Sequence, residues 1–538
     1  MRKLSKNFSK SVMLVIIITL IATALPYKAD AANVWKIYKE AEAARKKGDH
    51  KLAIAKYQET IPLFVASKDI ENVANMYNYL AESQKALNLF DDAVKSWDNE
   101  AIWWSKAKKV QLQIAAKRKA DLVRSTIKMF VRTDAAEFGD QYYHGAKYEP
   151  KLGAYIGAYA ESDPGVHDAK DGNPFYITAF PELTGKQHAA YLLYVSWGLP
   201  FSTYKSHIER AKKNNVALQI AFQPLKGLSE VADNEYLRTF AKDVKASGIP
   251  VFLRFANEMN GKWVEWYEKD PKKYIEKFRV VSKVFKEEAD NVAMVWSPNF
   301  FPPDNLESYY PGDDYVDWVG VSMYNTYQPE LDPLKKNIDR TSFVQKFDHI
   351  YKTYSKKKPV FISEAGASYS DPKTGNDVTR WAMYQTEQFY ASLPLLYPGV
   401  KGMFWFDTDK LEGANTNRYT LSKSTGMLDV YKKGIQNNFY LSAIGDEAKY
   451  GYREISTTTV KPAVQELSLF VKTVDPYVAK VAYYVNKKEI AKATSAPWTF
   501  SFDCSAYKGK KIEITVKAFD NKGKLLTTSV QKISVSAK

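Results

Sequence analysis

Eight short apolar runs, each followed by a stretch of helical periodicity, constrain this chain more than any other feature. They are Ala154–Tyr159, Tyr191–Ser196, Ala217–Phe222, Val251–Ala256, Val292–Ser297, Trp318–Met323, Val360–Ser363 and Gly402–Phe406. Apolar runs of this length, separated by helical patterns, read as strands buried on both faces. Eight such units within residues 135–445 predict a (β/α)8 TIM barrel, whose catalytic groups stand at the C-terminal ends of its strands. A doubly wound sheet alternates in the same way. It carries a glycine-rich phosphate turn after its first strand, however, and none follows Tyr159.

A chain of 538 residues exceeds one hydrophobic core, so further domains are expected on either side of the barrel. Residues 33–130 read as helix throughout, with Gly48 and Pro62 as their only glycine and proline. Two stretches within them align. Gly48 to Ala53 leads to Tyr57, and Asn88 to Ala93 leads to Trp97, 40 residues later. This resembles a pair of tetratricopeptide-like helical hairpins, in which the alanine lets two helices approach and the aromatic fills the gap. Two repeats are few for independent stability, so the segment is expected to dock within the chain or to bind a protein partner. Residues 456–538 open on a threonine-rich join, Ser456 to Thr459, and continue as alternating strands with short polar turns. They predict a small β-sandwich, resembling bacterial immunoglobulin-like modules, that could be removed without loss of catalysis.

The N-terminus sets the compartment. Lys3, Lys6 and Lys10 flank an apolar run from Val12 to Leu25, and Ala29-Asp30-Ala31 supplies a small-x-small cleavage pattern. The apolar run is too short to span a bilayer, which takes about 20 residues. Residues 1–31 are therefore expected to be a signal peptide, giving a secreted or cell-wall-associated protein with no stable membrane insertion after cleavage. The single cysteine, Cys504, excludes an internal disulfide framework. The net charge of +16 is spread without a long basic run or a nucleic-acid motif, which argues against nucleic acid as a partner. Such a surface would attract an anionic wall or an acidic polysaccharide. The 37 Tyr and 12 Trp residues supply flat apolar faces on which pyranose rings could stack.

Two glutamates close barrel strands. Pro250 to Gly261 runs Pro-Val-Phe-Leu-Arg-Phe-Ala-Asn-Glu-Met-Asn-Gly, with Glu258 at the end of the fourth run. By alternation, Arg254, Ala256 and Glu258 share the inward face. Lys358 to Gly366 runs Lys-Pro-Val-Phe-Ile-Ser-Glu-Ala-Gly, with Glu364 closing the seventh. A carboxylate that ends an apolar run is costly unless paired or functional. Cleavage of a glycosidic bond needs two such carboxyl groups, one held protonated and one ionised.

Asn-Glu after strand four with Glu after strand seven resembles clan A of the glycoside hydrolases. Within it, Glu258-Met259-Asn260-Gly261 followed by Trp263 and Trp266 is similar to glycoside hydrolase family 26, which holds β-mannanases, mixed-linkage glucanases and xylanases. Trp296-Ser297-Pro298-Asn299, Tyr310 to Asp313 with Val316 to Gly320, and Ser363-Glu364-Ala365-Gly366 extend the match. The resemblance implies a retaining, endo-acting β-glycoside hydrolase with Glu258 as acid/base and Glu364 as nucleophile. It implies a tyrosine, Tyr324, bonded to the nucleophile, and a sugar-stacking aromatic, Trp405. Trp263 and Trp266 would form a platform for further sugars, and Arg254 would hold a nearby carboxylate ionised. One position departs from the family: Asn257 stands where it usually carries His. Asn is the wider clan's choice and implies a hydrogen bond to the sugar 2-hydroxyl, which is axial in mannose and equatorial in glucose and xylose.

The six histidines lack ligand-like spacing, and no phosphate-loop or Ser/His/Asp pattern occurs, so neither metal nor cofactor is expected. Two other readings compete. The enzyme could process the producer's own exopolysaccharide, or the chain could be a catalytically silent, wall-associated polysaccharide-binding protein.

Overall fold

The computed structural model describes residues 31–166, 176–412 and 415–537, in two compact units divided after Asp121. The expected signal peptide lies essentially outside the described residues. Among the described helices, none is long and apolar enough to cross a membrane.

The first unit is a run of helical hairpins. Helices α1 (Ala31–Lys46), α2 (His50–Ala66), α3 (Ile70–Ala86), α4 (Phe90–Lys106) and α5 (Val110–Val123) are separated by three-residue turns. Each turn passes through one left-handed residue, Gly48, Lys68, Asn88 or Lys108. The Asp49 and Asp69 side chains cap the helices that follow them. The aligned residues occupy equivalent places, since Ala53, Ala93, Tyr57 and Trp97 are all fully buried. Helix does not continue to residue 130 as expected. It stops at Val123, and Thr126–Asp134 is a strand whose partners lie more than 300 residues further on, beyond reach of any local pattern.

The second unit contains the barrel. Its strands are β1 (Ala154–Tyr159), β2 (Ala190–Ser196), β3 (Ala217–Gln223), β4 (Val251–Phe255), β5 (Val292–Trp296), β6 (Trp318–Asn325), β7 (Val360–Ala367) and β8 (Val400–Phe406). Each pairs in parallel with the next, and β1 closes on β8 with Tyr155 opposite Gly402 and Tyr159 opposite Phe406. Aromatic rings plug the N-terminal end. Phe252 meets Trp318 at 5.1 Å, Trp318 meets Phe361 at 5.5 Å, and Phe361 meets Phe404 at 5.8 Å between centroids. Gly157 makes room for this plug, because a Cβ there would lie 2.3 Å from the Phe404 ring. Chemistry is thereby left to the opposite end.

The region after the barrel forms two sheets facing each other across one apolar core. It is not set off by a linker. The strand Thr126–Asp134, from before the barrel, pairs with Tyr450–Glu454 on one side and Val464–Lys472 on the other. Met129 and Val131 on this strand enter the sandwich core, while Phe130 joins the barrel core. One sheet is therefore a wall shared by both.

Candidate active site

The C-terminal mouth of the barrel gathers both glutamates. β4 ends at Phe255, earlier than alternation predicted, and the chain then turns through two left-handed residues, Ala256 (φ 45°) and Glu258 (φ 60°). A non-glycine residue in that region costs about 1–2 kcal/mol, and such strain tends to gather at functional sites. The Glu258 amide donates to the Ser297 carbonyl at 2.9 Å, tying this turn to the end of β5. Asn260 fixes the same two loops: its Oδ1 accepts from the Asn299 amide at 2.9 Å and its Nδ2 donates to the Asn299 carbonyl at 3.0 Å. Held this way, the half-buried Glu258 accepts from the Trp263 indole at 2.7 Å and from Asn299 Nδ2 at 3.1 Å.

Glu364 is placed by a different device. Along β6 and β7 the register shifts so that Val321 faces Ile362 but Ser322 faces Glu364, leaving Ser363 as an extra residue. Such a bulge re-aims side chains. Ser363 Oγ meets Ser297 Oγ at 2.6 Å, while the next residue, Glu364, reaches Arg254. Glu364 is only 3% exposed. Its Oε1 accepts from Arg254 at 2.7 Å, and its Oε2 accepts from the Tyr324 hydroxyl. Burial pushes the Glu364 carboxyl upward, but the charges of Arg254 and Lys410 and the hydrogen bonds from Tyr324 and Arg254 outweigh it and hold the group below its ordinary range. Arg254 is itself fully buried and donates to Ser322 Oγ at 3.1 Å.

The two carboxylates share neighbours. Burial, then Glu364 and to a lesser degree Glu258, push both the Tyr194 and Tyr324 hydroxyls upward, so the acids act on the same pair of tyrosines. Tyr159, Tyr194, Tyr324, Phe406 and Tyr419 line this space as a chain of ring contacts 5.1–5.5 Å apart.

Arg254, Glu258, Trp263, Tyr324 and Glu364 thus come together. Trp263 is 53% exposed, open to a ligand beside Glu258. Asn257 is buried, with its Oδ1 bonded to no protein group. Two expected sugar contacts stand elsewhere. Trp266 is buried and donates to the Asn257 carbonyl at 2.8 Å, so it braces the loop from behind. Trp405 is fully buried against Tyr390 and Tyr431, in the layer outside the barrel. Alternation along β8 sends Phe404 and Phe406 inward and Trp405 outward, so Phe406 holds the place expected of Trp405. Asn299, Tyr194 and Lys410 were not foreseen. Asn299 lay within a noted motif, but only the folded loop brings it to Glu258.

Fold and site together resemble those of glycoside hydrolase barrels. Residues 224–392, which include both glutamates, match the model of Glycosyl hydrolase family 26. The chain is 26% identical over 300 residues to Endoglucanase H of Acetivibrio thermocellus, covering 53% of this chain and 30% of that protein. It is 32% identical over 146 residues to Beta-1,3-xylanase TXYA of a Vibrio species, covering 26% and 28%. It is 28% identical over 182 residues to Mannan endo-1,4-beta-mannosidase of Bacillus subtilis, covering 31% and 44%. The chain spans less than half the length of each of these relatives.

Proposed function

We propose that this protein is a retaining, endo-acting β-glycoside hydrolase that cleaves a β-linked polysaccharide by double displacement. The observation that carries the reading is the contrast between the two carboxylates. Glu364 is buried, doubly hydrogen-bonded and held ionised by Arg254 and Tyr324, as a nucleophile requires. Glu258 stands half-buried in a turn beside an exposed tryptophan, where it can exchange a proton with solvent. In the first step the Glu258 carboxylic acid gives its proton to the glycosidic oxygen while Glu364 attacks the anomeric carbon, forming an ester and releasing the leaving sugar. In the second, the Glu258 carboxylate takes a proton from water as that water attacks the same carbon, freeing Glu364.

The names of the relatives span glucan, xylan and mannan, and these define the polymers to screen. Processing of the producer's own exopolysaccharide fits the same chemistry. We further read the chain as secreted or wall-associated, with hairpins of tetratricopeptide type that bind a partner and a sandwich of immunoglobulin-like type. The experiment is to follow the first product by NMR before mutarotation, with Glu258→Gln and Glu364→Gln alongside. Retained configuration, and a loss of at least about 10²-fold in each variant, are expected. An inverted first product, or a variant close to wild-type rate, would remove both assignments.

A further inference from the structure

We propose that the barrel mouth takes an acidic sugar, and that Lys410 recognises a uronate carboxylate on the residue lying against Glu364. The inference rests on the hydrolase reading above and concerns which polymer that site accepts.

Lys410 lies just beyond β8. Its ammonium stands 4.9 Å from the centroid of the Tyr324 ring and 4.7 Å from that of Phe406, held by two of the rings that line the mouth. Lys410 is exposed, and it forms no ion pair with any described carboxylate. Asp409, next to it in the chain, and Glu364, whose carboxyl feels its charge, are already engaged. Asp409 pairs with Lys423 at 3.0 Å, and both oxygens of Glu364 are taken by Arg254 and Tyr324. Among the described residues the Lys410 ammonium therefore has no hydrogen-bond or ion-pair partner, and its donors face whatever enters.

Charge counting shows why this matters. With Glu258 carrying the proton it must donate, Arg254 and Glu364 pair with each other at 2.7 Å, and Lys410 is left as a cation at the mouth with no ion-pair partner among the described residues. The transition state of glycoside cleavage adds positive charge on the sugar. An unmatched cation beside it opposes the reaction, unless the substrate brings an anion of its own. A carboxylate on the sugar that Glu364 attacks would pair with Lys410 through a charge-assisted hydrogen bond. The chain's +16 charge would draw such a polymer toward the protein from a distance.

The test uses the full chain carrying Glu258→Gln, which binds without turning over, in affinity electrophoresis. The gels contain a neutral β-glucan, xylan or mannan, or the same polymer partly oxidised at its primary alcohols (xylan being replaced by a glucuronoxylan). Lys410→Met is compared with Lys410→Arg and with Lys508→Met, a one-charge control on the exposed surface of the C-terminal sheets. Tighter binding of the acidic polymer is expected. Lys410→Met should reduce the acidic-to-neutral affinity ratio about tenfold, while Lys410→Arg and Lys508→Met keep it. With Glu258 restored, the kcat/KM ratio should follow the same order and shrink as NaCl rises. Equal losses on both polymers, accompanied by a shifted acid limb of the pH profile, would reduce Lys410 to a support for Glu364. An unchanged ratio would refute the inference outright. Because binding is read without turnover, absence of hydrolysis by the wild-type chain would overturn the enzyme reading separately.

Discussion

Tyr324→Phe isolates a single hydrogen bond to the proposed nucleophile. The ring sits edge-on to Phe406 at 5.4 Å and lies 5.5 Å from Tyr419, so phenylalanine keeps its seat and only the hydroxyl is lost. That hydroxyl donates to Glu364 Oε2, and a hydrogen bond to a charged group contributes about 1.5–3 kcal/mol. One pKa unit corresponds to about 1.4 kcal/mol, so the Glu364 carboxyl should rise by about one to two units. Glu364 is held low in the folded protein and must be ionised to attack. The acid limb of kcat/KM should therefore move to higher pH by the same amount, with a smaller loss at the alkaline end of the plateau. Stability should follow the same sign. A depressed carboxyl stabilises the fold above its unfolded pKa of about 4.3, and that contribution is lost as pH falls through the folded value. The variant should thus melt earlier than wild type at neutral pH and converge with it in acid. The assay is reducing-sugar release across the pH range, paired with thermal melts in the same buffers. An acid limb that stays in place while turnover falls would show that Tyr324 does not set the ionisation of Glu364.

Three further outcomes are expected. Trp263→Phe removes the 2.7 Å indole donation to Glu258 while keeping a ring, and should slow polysaccharide cleavage more than cleavage of aryl glycosides, whose leaving groups need no proton; equal losses on both would refute a role through Glu258. Burial, and then the neighbouring Asp163, hold the Asp407 carboxyl well above the ordinary range, so its contribution is complete below the unfolded pKa of about 3.9 and lost as pH rises through the folded value. Asp407→Asn should flatten the alkaline decline in Tm, and an unaltered slope from pH 5 to 9 would contradict this. Deleting residues 456–538 should give no soluble, active barrel, because it strips Val464–Lys472 from the strand at Thr126–Asp134 and uncovers Met129 and Val131; a well-folded truncated enzyme, judged by circular dichroism and turnover, would disprove it.

The alternating runs of apolar and helical sequence were enough to define the barrel, because strands buried on both faces must be apolar along their whole length. They also marked Glu258 and Glu364 as charges that need an explanation, since a charge at the end of such a run is costly unless paired or functional. The 40-residue echo between Ala53 and Ala93 likewise returned as equivalent buried positions. Alternation failed where the backbone leaves the regular strand. The bulge at Ser363 and the left-handed turns at Ala256 and Glu258 depend on register with neighbouring strands, which no local window contains. The same holds for the sheet that joins Thr126–Asp134 to strands more than 300 residues later, and for Asn299 reaching Glu258 across two loops. Sequence determined which residues had to be buried and which charges had to be explained. Tertiary structure decided which of them meet, because a hydrogen bond or an ion pair depends on ångström-scale geometry that residue order alone does not carry.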